Sequence, residues 1–185
     1  VAKVWGKLVH SASEPAIRHA LKAAMRLIAS QFVLGETIEE SLKKARSIEQ
    51  KGYRFSYDML GEGARSNEQA QRYFESYLHA IKAVGASSDG NLPLHKKPGI
   101  SIKLTALHPR YEWRQRERVM RELLPKLNAL ANAAKQQGIC VMIDAEEAAR
   151  LDLEMEVFSA LFLDDDFATF EGVAKWINDN VSRSN

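Results

Sequence analysis

The chain has 185 residues, with Lys+Arg 26 against Asp+Glu 24 and 45% hydrophobic residues, too rich in core-formers for a disordered chain. Its net charge of +2 is too small and too scattered to point to nucleic acid. A single cysteine, Cys140, excludes a disulfide framework and fits a reducing, cytoplasmic setting, and no run approaches the roughly 18 apolar residues of a spanning helix. The first ten residues carry no secretory signal, and a first residue other than Met suggests a piece of something longer.

Ser11 and Glu14 have capping-box spacing, with Pro15 just inside the start, so a helix is predicted from there. Ile17, Leu21, Met25, Ile28 and Phe32 draw its apolar stripe, and Gly35 ends it. Thr37 and Glu40 form a second capping box, with Ile38, Leu42, Ala45 and Ile48 facing inward and Gly52 as the stop. Residues 1–52 thus read as a helical segment ahead of the rest.

From Tyr53 the period changes. Residues 53–58 alternate as a strand does. A loop with Gly61 and Gly63 follows, and Ser66 with Gln69 caps a helix striped by Ala70, Phe74, Tyr77, Ile81 and Val84. The Ser, Asp, Gly, Asn and Pro residues of 87–99 make a loop. Residues 100–104 alternate again, His108-Pro109 breaks the chain, and a long helix buries Val119, Leu123, Leu127, Leu130 and Ala134, with a kink expected at Pro125. Gly138 opens a third strand over 139–144, apolar enough to be covered on both faces. A helix from about Glu147 to Phe162 places Leu151, Met155, Phe158 and Phe162 on one side. The fold class is therefore α/β, with parallel βαβ units that suit either an open doubly wound sheet or a (β/α)8 barrel. A barrel takes typically ~250 residues, so three clear strands would be its first part.

In each strand one phase is apolar and the other ends in a charge: Asp58, Lys103 and Asp144. Alternate residues face opposite sides of a sheet, so in a barrel these three would share the interior at its C-terminal mouth, where barrel enzymes build their sites. Buried there, they should pair with one another, with a ligand, or with residues that this chain does not contain. His108 reads as a local hydrogen-bonding residue beside Pro109 and Arg110. Glu146 and Glu147 read as helix N-terminal acids rather than metal ligands, and Cys140 as an inert mid-strand thiol. Gly61 and Gly63 lack the spacing of a dinucleotide fingerprint.

Three stretches, Tyr53-Arg-Phe-Ser-Tyr-Asp-Met-Leu-Gly-Glu62, Gly99-Ile-Ser-Ile-Lys-Leu-Thr-Ala-Leu-His-Pro-Arg-Tyr111 and Ile143-Asp-Ala-Glu-Glu-Ala-Ala-Arg150, closely resemble the proline dehydrogenase domain of bifunctional bacterial proline utilisation proteins. Phe32-Val-Leu-Gly-Glu-Thr-Ile38 resembles the segment before that barrel, and the likeness runs from about Gly6 to Gly172. It implies a distorted (β/α)8 barrel that binds FAD, oxidises L-proline to pyrroline-5-carboxylate by hydride transfer, and passes electrons to membrane ubiquinone through a peripheral membrane contact. In that family a separate downstream aldehyde dehydrogenase domain completes the oxidation to glutamate.

By the same resemblance, Lys103 faces the proline carboxylate, Asp144 and the Ala145 backbone lie beside the flavin, Asp58 sits at the site mouth, and Glu62 closes a loop over the substrate by pairing with a late arginine. Residues 53–172 would be the first part of the barrel and 173–185 a divergent polar tail. A tyrosine and two arginines that grip proline, with most FAD contacts, belong to the family's later half. A chain of these residues alone is expected to hold no stoichiometric FAD, to turn over no proline, and to self-associate through an exposed strand edge. The rival readings are a flavin oxidoreductase for another cyclic amino acid and a non-catalytic partial barrel.

Overall fold

The computed structural model describes residues 2–29, 31–60, 63–145, 147–163 and 173–176, with side chains only between residues 14 and 163. The chain divides into two compact units, residues 1–48 and 49–185.

The first unit holds α1 (Ala2–Ala29) and nearly all of α2 (Ile38–Glu49). α1 starts well before the predicted cap, so Ser11 and Pro15 are interior to it. A helix can run through a proline by giving up one N–H bond, and Val4 and Leu8 carry the apolar spacing upstream. α1 also ends at Ala29, short of the predicted Gly35, so Phe32 lies beyond it; Ile17, Leu21, Met25 and Ile28 of the predicted stripe are on the helix, and all five are more than half accessible. α2 begins on the predicted box. The Glu40 N–H donates to Thr37 Oγ1 at 3.2 Å, and the Glu40 carboxylate accepts from the Glu36 N–H at 3.0 Å. Ala45 is buried, and Ile38, Leu42 and Ile48 are half-buried beside it. Gly52 takes φ +93° and returns its N–H to the Glu49 carbonyl, the left-handed stop that glycine allows.

The second unit is built on a four-stranded parallel sheet in chain order: β1 (Ser56–Asp58), β2 (Gly99–Ile102), β3 (Cys140–Asp144) and β4 (Val173–Trp176). The first three strands and their adjacency match the sequence reading, with trimmed ends. β1 is shorter because Tyr53 is exposed and the Arg54 guanidinium donates to the Lys96 carbonyl, although the Gly99 N–H still reaches the Phe55 carbonyl. Leu104 leaves the predicted strand and opens a four-residue helix, α4 (Leu104–Leu107). Burial satisfies Leu104 in either state, so alternation could not separate the two. β4 falls within the stretch expected as tail; four residues are too few to show a period.

Crossover helices cover one face of this sheet. α3 (Asn67–Ser87) starts on a reciprocal box: Ser66 Oγ accepts from the Gln69 N–H at 3.2 Å, and Gln69 Oε1 accepts from the Arg65 N–H at 2.8 Å. It buries Ala70, Tyr77, Ile81 and Val84, with Phe74 half-buried. α5 (Arg116–Gln137) runs through Pro125, fully buries all five of its predicted core residues, and ends on Gly138 at φ +60°. α6 (Leu151–Phe162) follows a single turn at Ala148–Arg150. Its buried residues are Leu153, Glu154, Val157 and Leu161, whereas of the predicted side Leu151 and Phe158 are half-buried and Met155 and Phe162 exposed. Two apolar rows share this helix, and only packing chooses between them.

The strand phases settle which face is which. Ile100, Ile102, Val141 and Ile143 are fully buried under the helices. On the opposite face Cys140, Met142 and Asp144 are half-buried, a surface less closely covered than the helix side. Alternation has put the charged phase there. Among the described residues, no helix is long and apolar enough to cross a membrane.

Candidate active site

Lys103 follows β2 directly and keeps an extended backbone (φ −96°, ψ 124°), so its side chain stays in phase with Ser101 although the strand has ended. Two contacts fix this position. The Tyr77 hydroxyl, fully buried on α3, accepts from the Lys103 N–H at 3.1 Å. The Ala64 N–H donates to the Thr105 carbonyl at 2.9 Å, tying the loop after β1 to the turn after Lys103.

The three charges meet as their shared phase predicts. Lys103 Nζ donates to Asp58 Oδ1 and lies 3.2 Å from Asp144 Oδ2, so one ammonium is shared by carboxylates from the two flanking strands. Lys103 is the least exposed, with 16% of its side chain accessible against 39% for Asp58 and 25% for Asp144. Water screening is therefore weaker at the cation than at a surface pair. The cluster carries one negative charge in excess. Ala145 follows the last residue of β3 and is half-buried, while Glu62 lies outside the described residues.

Sequence reasoning passed over Ser101 and Tyr77. Ser101 Oγ donates to Asp144 Oδ1 at 2.5 Å. A serine in an apolar strand and a tyrosine in a helical stripe both read as packing. The register that brings Ser101 diagonal to Asp144 appears only once β2 and β3 are paired, Ser101 with Met142 and Ile102 with Ile143.

The other candidates sit elsewhere. His108 is buried at the end of α4, and its Nδ1 accepts from the Arg110 N–H at 3.1 Å. That leaves Nε2 to carry the proton toward Glu122 Oε2 at 3.2 Å, the local bonding role read from the sequence. Burial holds the imidazole below its ordinary pKa, against the opposing pull of Glu122. A histidine depressed in the folded state contributes stability that is complete above its unfolded pKa, and is lost as pH falls through that value toward the folded one. Denaturant midpoints should accordingly fall as pH drops below about 6.5, and His108→Gln should flatten that stretch of the profile. An equally steep profile in the variant would place the titrating group elsewhere. Cys140 is half-buried, and burial pushes its thiol up, as an inert cysteine requires. Glu147 precedes the turn before α6 and lies 3.5 Å from the Arg150 guanidinium, and Glu146 is outside the described residues.

The chain is similar to known proteins over most of its length. The family profile described as proline dehydrogenase matches residues 41–177, and so takes in all four strands. The bifunctional protein PutA of Klebsiella aerogenes is 47% identical over 173 residues, covering 94% of this chain. Proline dehydrogenase 1 of Bacillus subtilis is 31% identical over 134 residues, covering 72% of this chain. The chain spans 13% of the length of the first relative and 39% of the second. A crystal structure of a PutA mutant from Bradyrhizobium japonicum superposes with a TM-score of 0.70 at 46% identity, over 87% of this chain and 16% of that one. Its fold, a helix-covered parallel sheet of the barrel type, is therefore the fold seen here in part. A profile that spans the whole sheet and its charged cluster settles the matter: this chain belongs to the proline dehydrogenase family.

Proposed function

We propose that the chain supplies the first strands of an FAD-dependent proline dehydrogenase, which oxidises L-proline to pyrroline-5-carboxylate and hands the electrons to a quinone. The observation that carries this reading is the sharing of Lys103 by Asp58 and Asp144 at the C-terminal end of adjacent parallel strands. Barrel enzymes gather their chemistry at that end.

The excess negative charge suits a zwitterionic amino acid. Its carboxylate meets the Lys103 ammonium, and its amine faces carboxylates, which favour a cation. In this reading Asp58 lines the mouth, Asp144 and the Ala145 backbone lie beside the flavin, and Glu62 closes the loop over the bound substrate. The half-buried row of Cys140, Met142 and Asp144 fits a flavin in kind, with soft apolar groups for a ring face and a carboxylate for a polar edge. FAD, when bound, supplies the acceptor for the hydride that leaves the proline ring. The protein's own residues hold the substrate carboxylate, orient the ring and limit access of water.

The test is made on the full gene product, purified with whatever flavin it retains. L-proline added without oxygen should bleach the visible flavin absorbance and yield a product that condenses with o-aminobenzaldehyde. A protein that retains flavin but ignores proline while responding to another cyclic amino acid would transfer the reading to that substrate. A flavin-free protein that turns over neither would end it.

A further inference from the structure

We infer that Ser101 is a positioning residue of this site: its hydroxyl holds the Asp144 carboxylate in the one orientation that keeps Lys103 shared between two acids. The inference rests on the reading of Lys103 and Asp144 as part of the proline and flavin site, and adds a residue to it.

The argument begins with register. Ser101 pairs with Met142, so Asp144, two residues on, is its diagonal neighbour on the same face of the sheet. Lys103 stands two residues beyond Ser101. A single carboxylate is thus addressed by two donors from adjacent in-phase positions of one chain segment. Ser101 Oγ donates to Oδ1 at 2.5 Å, a length typical of a hydroxyl bonded to a carboxylate, and Lys103 Nζ lies 3.2 Å from Oδ2.

The two contacts differ in what they can hold. The terminal torsion of an aspartate is broad and roughly two-fold, so one contact at 3.2 Å leaves the plane of the carboxylate free to turn. A second, shorter bond to the other oxygen removes that freedom. Ser101 is 5% exposed, so little water reaches its hydroxyl to compete for it. Were Asp144 to turn away, Lys103 would lose one of the two carboxylates it contacts, and the pull of Asp58 would draw its ammonium toward β1. A serine placed there for packing alone would act on stability whether or not Asp144 were present. A positioning serine acts only through Asp144.

That difference is measurable with Ser101→Ala, Asp144→Ala and the double variant of the full gene product. The loss of one hydroxyl from a strand leaves the fold intact, which a denaturant midpoint checks. Ser101→Ala should lower kcat/KM for L-proline about tenfold, the usual effect of losing a hydrogen bond to a charged group. In the Asp144→Ala background the same change should add less than about twofold. The second readout needs neither substrate nor flavin. Modification of Lys103 by an amine-reactive reagent, followed by peptide mass spectrometry against Lys51 as reference, should rise several-fold in Ser101→Ala and rise no further when Asp144 is also removed. Additive losses, or labelling of Lys103 unchanged by Ser101→Ala, would overturn the proposal. If the parent protein does not oxidise proline, the functional reading fails by itself, and the labelling still decides whether Ser101 holds the pair.

Discussion

Lys103→Ala in the full gene product should lower kcat/KM for L-proline about ten- to a hundredfold, with flavin content close to that of the parent. In the proposed site the substitution removes a charge-assisted hydrogen bond to the substrate carboxylate, worth about 1.5–3 kcal/mol, which is the same range expressed as free energy. The site geometry adds a second effect of the same sign. Asp58 and Asp144 lose the cation they share, and the incoming substrate brings a third carboxylate to two that are now unneutralised. Flavin content should hold because Asp144 and Ala145 are untouched, and because the backbone at position 103 keeps its bond to the Tyr77 hydroxyl. Steady-state assays with a dye acceptor and a visible spectrum of the purified variant test both halves. If kcat/KM is unchanged, the Lys103 cluster is a structural ion pair and nothing more.

Leu127→Ala should carry the largest cost in stability, about 2–5 kcal/mol of a total that for ordinary domains is about 5–15. Leu127 is fully buried on α5, which packs against α3, α6 and β3. The neighbouring Val119, Leu123, Leu130 and Ala134 are equally buried, so little can move in to fill the space. Leu21→Ala is the matched comparison: it deletes the same atoms from a residue 60% exposed on α1, and should change stability by less than about 0.5 kcal/mol. Denaturant midpoints at constant slope report both. A Leu127→Ala variant as stable as Leu21→Ala would mean that α5 does not form the core of its unit.

The strands that build the site are legible because in each one phase stays apolar while the other ends in a charge. Asp58, Lys103 and Asp144 each close the phase opposite to a run of apolar residues, which predicts a shared face; that they pair with one another rather than with other groups is what the structure adds. The helix caps at Thr37 and Ser66 form as their hydroxyl-to-acid or hydroxyl-to-amide spacing predicts, whereas the same spacing at Ser11 and Glu14 lies inside α1, so the pattern marks a start only where the chain upstream is not itself helical. Ser101 and Tyr77 were not legible, because their roles depend on partners 43 and 26 residues away in the chain. The start of α1 was misplaced because a proline behind a serine imitates an N-terminus, and a continuous helix tolerates the same pair. Leu104 was assigned to the strand because burial alone cannot distinguish a strand end from the first turn of a helix. The buried face of α6 went to the wrong row for want of any signal but hydrophobicity, which both rows share.

The clamping of Lys103 bears on entropy. A lysine on an open surface samples many rotamers, and fixing such a side chain when a ligand arrives costs about 0.5–1.5 kcal/mol. Here the main chain at position 103 is held by a buried phenol, and the ammonium by two carboxylates, all before any ligand approaches. That loss of freedom is settled when the chain folds. In the proposed site, binding at this position trades one set of oxygens for another around a cation already in place, so the ordering of the lysine weighs on the stability of the fold and not on affinity.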